Sequence, residues 1–161
     1  HPRAAAVISS RKLDDLEPYA PRHFAPHELL PGLSGDETWA SLDPALRAQL
    51  DDRLLETADD VRDLLGCACA INDYATGGER QWCGLRTDAC TIGAPKSQHR
   101  LGRAADLHPQ GMTAEFARTI VRNAVAAGKL PHLGGVEEGV SWLHIDVRPR
   151  VGGKVLWFVQ K

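Results

Sequence analysis

The sequence predicts an α+β domain: a small antiparallel sheet packed against helices, behind a Pro-rich N-terminal arm. Three observations predict it. Two stretches place apolar residues at three- and four-residue spacing, a segment near the C-terminus alternates cleanly between two faces, and the first 40 residues hold prolines too close together for a long helix. At 161 residues, with 43% apolar and 25% charged side chains, one core is expected. Such a chain buries about 70% of its unfolded surface. Residues 1–40 read as the arm and residues 41–161 as a single folded domain.

Taken in order, Pro18, Pro21, Pro26 and Pro31 make residues 1–40 an extended, wrapping segment. Asp43 followed by Pro44 reads as a helix N-cap with proline in the first turn. Leu46, Leu50, Leu54, Ala58, Val61 and Leu65 then continue one apolar stripe to Gly66, which stops the helix. Residues 67–73 are short, apolar and compatible with a strand. Residues 75–96 form a long irregular loop, and a loop of that length in a compact domain is a candidate wall of a binding cleft. Thr113 caps a second helix whose stripe is Phe116, Ile120, Val121 and Ala124 and which ends at Gly128. Over residues 141–148, Leu143, Ile145 and Val147 point one way and Trp142, His144, Asp146 and Arg148 the other. One face is core, and the other is free for chemistry. After the turn-forming residues 149–153, residues 154–160 read as the antiparallel partner of that strand, giving a C-terminal hairpin.

Composition excludes several classes. The net charge is −2 and the Arg and Lys residues are scattered among acids, so no nucleic-acid partner is expected. No apolar run is long enough to span a bilayer. The chain opens His1-Pro2-Arg3, with no signal peptide visible, and a monomer is expected. Cys67, Cys69, Cys83 and Cys90 are too few for a disulfide scaffold, and their spacings do not suit a paired-cysteine zinc site. They read as structural thiols, with a Cys83–Cys90 loop disulfide as the alternative.

The residues richest in chemistry are Ser97-Gln98-His99-Arg100-Leu101-Gly102-Arg103-Ala104-Ala105-Asp106, a loop that turns at Gly102 and enters a short strand. His99 and Asp106 can converge there, and the small Ala104 and Ala105 let backbone approach without crowding. Imidazole and carboxylate are both good zinc ligands, and strand alternation offers His144 as a third. Three protein ligands with one open position form the pattern of a catalytic zinc rather than a structural one. His108 shares strand parity with Asp106 and reads as a support of the metal, while His23, His27 and His132 read as ordinary solvated histidines.

The pattern Ser-x-His-x-x-Gly-x-Ala-x-Asp, followed at a distance by Trp-x-His, resembles the D-Ala-D-Ala carboxypeptidase and phage endolysin zinc metallopeptidases, whose fold hedgehog signalling domains share. The resemblance spans about residues 60–160, and its elements occur in order as Gly84-Leu85-Arg86, Ser97-Gln98-His99, Gly102 to Asp106 and Trp142 to Arg148. It implies one zinc ion on His99, Asp106 and His144, and a peptidoglycan stem peptide as substrate, cut by a carboxypeptidase or endopeptidase acting at the bacterial cell wall. Many members place a Glu three residues before the last histidine ligand, where this chain has Ser141. The general base is then expected to be Glu137 or Glu138, ahead of Asp146, which can instead orient a ligand. Arg86 and Arg148 are the candidate cations for the anionic intermediate and a peptide carboxylate, with Arg86 the stronger because a strand arginine such as Arg148 more commonly pairs with an exposed acid across the hairpin. Ser97 resembles the family serine that contacts substrate, and Trp142 offers an apolar wall. Two other readings stay open: a zinc-stabilised binding module without a working base, kept alive by Ser141, and a cysteine peptidase with Cys83 as nucleophile and His99 as its base.

Overall fold

The computed structural model describes residues 17–94 and 96–160; the first 16 residues of the expected arm lie outside the described residues. The rest of that arm is fastened to the domain. Tyr19 Oη donates to Asp59 at 2.7 Å, and the backbone N–H groups of Arg22 and His23 donate to the same fully buried carboxylate at 2.8 and 3.1 Å. Pro26 then opens a one-turn helix, α1 (Pro26–Leu29), so the segment is not extended throughout, and Phe24, Leu29 and Leu30 enter the main core.

The long helix expected from Asp43 to Gly66 is instead two helices, α2 (Pro44–Arg47) and α3 (Asp52–Leu65). Asp43 caps the first as expected, accepting from Ala45 N, and Gly66 ends the second in the left-handed conformation at φ 66°. The interruption has a local cause. Asp51 is a second N-cap, accepting from Arg53 N, and the buried Arg47 side chain turns back to donate to the Leu50 carbonyl at 3.1 Å. The apolar spacing runs straight through the break because Leu50 stays in the core.

Next come β1 (Cys69–Ala70), β2 (Ala104–Pro109), helix α4 (Ala114–Ala126), β3 (Gly135–Glu137), β4 (Leu143–Asp146) and β5 (Leu156–Phe158). The sheet order is β1-β2-β4-β3-β5. All pairings are antiparallel except β3 with β5, so the sheet is mixed rather than antiparallel. The C-terminal hairpin does not form, and the reason lies in the topology. Strand β4 is already flanked by β2 on one side and β3 on the other, leaving no edge for residues 154–160. The last strand therefore crosses to the open edge of β3.

Helices α3 and α4 pack on each other and on one face of β2 and β4. Leu54, Ala58, Val61 and Leu65 meet Ala117, Val121, Ala124, Leu107, Leu143, Ile145 and Val136 in that layer. Each fully buried Leu, Ile or Val there contributes roughly 1.5–3 kcal/mol. Thr113 caps α4 by accepting from Phe116 N at 3.1 Å. Phe116 itself is 57% exposed, against expectation. The buried residues of α4 are Ala114, Ala117, Arg118, Val121 and Ala124, mostly small side chains, and Phe116 falls outside them.

Candidate metal centre

The face of the sheet away from the helices carries the polar set. Asp106 on β2 pairs in register with His144 on β4. Continuing the β3–β4 register sets Glu137 beside His144, and Glu137 in turn pairs with Phe158 on β5. One rank across four strands thus reads Asp106, His144, Glu137, Phe158.

His99 comes to this rank from a 3-10 turn (Gln98–Leu101) just ahead of β2. Gly102 ends the turn at φ 68°, and a Cβ there would lie 1.8 Å from the Gln49 carbonyl oxygen. Only glycine allows both the turn and the close approach. The Gly102 carbonyl also accepts from Asp51 N at 3.0 Å, tying the turn to the start of α3.

Each imidazole has one nitrogen committed and one free to face the third residue. His99 Nδ1 donates to the Gly84 carbonyl at 2.9 Å, leaving Nε2 at 3.3 Å from Asp106 Oδ1. His144 Nε2 donates to Asp146 Oδ2 at 2.9 Å, leaving Nδ1 at 2.9 Å from the same Asp106 oxygen. The ligand atoms of all three residues lie within 4.8 Å of one another. Ligands of a tetrahedral zinc sit about 3.3 Å apart, given bonds of about 2.0–2.1 Å. His99, Asp106 and His144 are 3%, 6% and 6% exposed, so a buried His-Asp-His cluster able to hold a metal ion is in place.

Electrostatics agree. Burial would raise the Asp106 carboxyl, but hydrogen bonds from His144 and His99 and the attraction of their charges prevail, holding it well below the usual carboxylate range. Burial likewise opposes charge on His144, yet its bonds to Asp106 and Asp146 and their negative charge push it up to about 9. Without an ion, positive charge on His144 offsets the two carboxylates beside it. Because this pKa is raised above the ordinary 6.5, the proton stabilises the metal-free fold fully below about pH 6.5 and ceases to as the pH rises through about 9. Chelator-treated protein is therefore expected to melt lower at pH 10 than at pH 6. Metal binding near pH 7 is expected to release about one proton per ion, measurable by titration calorimetry in buffers of different ionisation enthalpy.

The cluster forms the floor of a cleft of about 690 Å³, whose walls include Arg86, Ser97, Glu137, Trp142, Arg148 and Phe158. Arg86 is anchored by donating from Nε to the Trp82 carbonyl at 2.9 Å, and its Nη2 stands 3.5 Å from Asp106 Oδ2. Glu137 is 8% exposed, and no hydrogen bond or ion pair fixes its carboxylate among the described residues. Glu138 points elsewhere and pairs with Arg122 of α4 at 2.5 Å. Asp146 is fully buried behind His144 rather than lining the cleft. Ser97 Oγ and Trp142 Nε1 are buried without a hydrogen-bond partner among the described residues.

Phe158 is a cleft residue that sequence reasoning missed, since its place depends on the parallel pairing of β5. His108 stands apart from the cluster with Nε2 at 3.5 Å from Cys83 Sγ. All four cysteines are free, so Cys83 and Cys90 are not bridged. Burial and the charge of Asp106 push the Cys83 thiol up to about 12, and its histidine neighbour is His108 rather than His99. Those facts run against Cys83 as a nucleophile.

Comparison with protein-family models, curated proteins and solved structures gives no match to this chain.

Proposed function

We propose that this chain is a zinc-dependent peptidase that hydrolyses peptidoglycan stem peptides at the bacterial cell wall. The observation that carries the reading is the buried His99–Asp106–His144 cluster at the floor of an open cleft, with an unpaired acid, Glu137, next in rank. Two imidazoles and one carboxylate are a donor set typical of catalytic zinc, and the resemblance of residues 97–106 and 142–148 to the D-Ala-D-Ala carboxypeptidase and endolysin peptidases supplies the substrate class. Zinc with an open position polarises a carbonyl and makes water acidic enough to ionise near neutral pH.

The protein's own groups do the rest. Glu137 accepts a proton from the attacking water and returns it to the departing amine. It takes the part that Ser141 cannot, which weighs against a non-catalytic binding module. Asp146 is less suited to this role because both its oxygens are occupied by His144 and Arg148. The Arg86 guanidinium stands beside Asp106, where it can offset negative charge developing on the carbonyl oxygen. Ser97 and Trp142 line the wall where a peptide would lie.

Purified wall fragments incubated with the zinc-loaded protein should yield shorter peptides, identified by mass, and chelator should stop the reaction until zinc is restored. Cleavage that persists after metal removal, or fragments left intact by the loaded protein, would sink the reading.

A further inference from the structure

His144, Asp146 and Arg148 alternate along one strand and its immediate extension, so all three side chains lie on the same face. Arg148 grips Asp146 through two parallel bonds, Nε to Oδ1 at 2.7 Å and Nη2 to Oδ2 at 2.5 Å, and its backbone N–H donates to Oδ1 at 3.2 Å. With His144 Nε2 on Oδ2, every favourable direction around this fully buried carboxylate is engaged.

The grip is itself held. The Arg148 guanidinium lies over the Phe158 ring, 4.6 Å from its centroid, and the same ring meets His144 edge-on at 5.6 Å. From the neighbouring strand, Gly135 faces the pair. A Cβ there would sit 2.6 Å from both Arg148 Nε and Asp146 Oδ1, so β3 keeps the space open by having no side chain at that position.

Resting on the metal-binding reading above, we infer that Arg148 is a positioning residue of the metal centre, acting through Asp146 to hold His144 with its Nδ1 toward the ion, and not a contact for a substrate carboxylate. A carboxylate fixed at one oxygen by one donor can rotate. One clamped by a guanidinium fork cannot, and the histidine proton it accepts is thereby fixed on Nε2. Phe158 covers the guanidinium, and the bare Gly135 leaves the room that the pair occupies.

The test is metal affinity, measured by competition with a chromogenic chelator on wild-type protein, Arg148→Met and Arg148→Lys. It is read together with the His144 tautomer by long-range nitrogen–proton NMR and with KM for a wall peptide. Both variants are expected to bind zinc about 10–100-fold more weakly, to lose the single Nε2-protonated signal of His144, and to leave KM within about two-fold. If Arg148→Met fails to fold, Arg148→Lys, which keeps the charge and the aliphatic stem but loses the fork, carries the test. Zinc affinity equal to wild type together with a raised KM would make Arg148 a substrate contact and overturn the inference while leaving the metal site standing. A wild-type protein that binds no zinc would overturn both.

Discussion

His144→Ala is expected to empty the metal site and end turnover together. The lost imidazole is one of the three side chains proposed to hold the ion, so affinity should fall by more than the roughly 10–100-fold typical of losing a mere supporting contact. A second effect sets this residue apart from His99. His144 lies between two buried carboxylates, bonded to Asp106 at 2.9 Å and to Asp146 at 2.9 Å. Its removal leaves Asp106 without the closer of its two histidine partners and Asp146 with Arg148 alone. Breaking a buried charged arrangement on one side costs on the order of 3–5 kcal/mol. The metal-free His144→Ala protein should therefore melt well below metal-free His99→Ala, although both lose the ion. Metal content per chain by atomic spectroscopy and thermal melts of both variants check this. Either variant retaining a full equivalent of zinc would remove the basis for the site.

Glu137→Gln is expected to separate binding from chemistry. The amide keeps the size of the side chain and its place beside His144, but it cannot take up a proton from water. A positioned general base contributes about 10²–10⁴-fold, so kcat should fall by that factor while zinc content and thermal stability stay close to wild type. Glu138→Gln is the matched comparison. Its carboxylate is exposed and paired with Arg122, so its loss should change kcat little. Equal activity losses in the two variants, or none in Glu137→Gln, would contradict the role given to Glu137.

The choice between these neighbouring acids shows where sequence alone stops. Adjacent strand residues face opposite ways, so at most one of the two looks into the cleft. Which one depends on the pairing register of a three-residue strand, a property no local pattern contains. The partner of the last strand was hidden for a related reason. Alternation marks β4 as a strand with a polar face, but it does not reveal that both edges of β4 are already taken. Phe158 could not be placed in the cleft without that knowledge.

Other features were plain because their causes are local. Asp43, Thr113 and Gly66 act at the helix ends where their own side-chain or backbone chemistry dictates. The spacing from Ser97 to Asp106 joins a turn, a glycine and a strand, and the structure closes His99 onto Asp106 over that interval. Phe116 misled for lack of size information: at helical spacing a phenylalanine looks like a core residue, while the sheet here accepts alanines.

The gap between α2 and α3 has a significance beyond helix boundaries. Gly102 presses against the Gln49 carbonyl and receives the Asp51 N–H within that gap, so the turn bearing His99 berths where helical backbone would otherwise close on itself. Redesigning residues 48–51 into unbroken helix would satisfy local propensity and evict this turn. A sequence optimised for helicity alone would thus drift toward a sturdier scaffold with a displaced His99, which makes the irregular joint part of what assembles the His-Asp-His cluster.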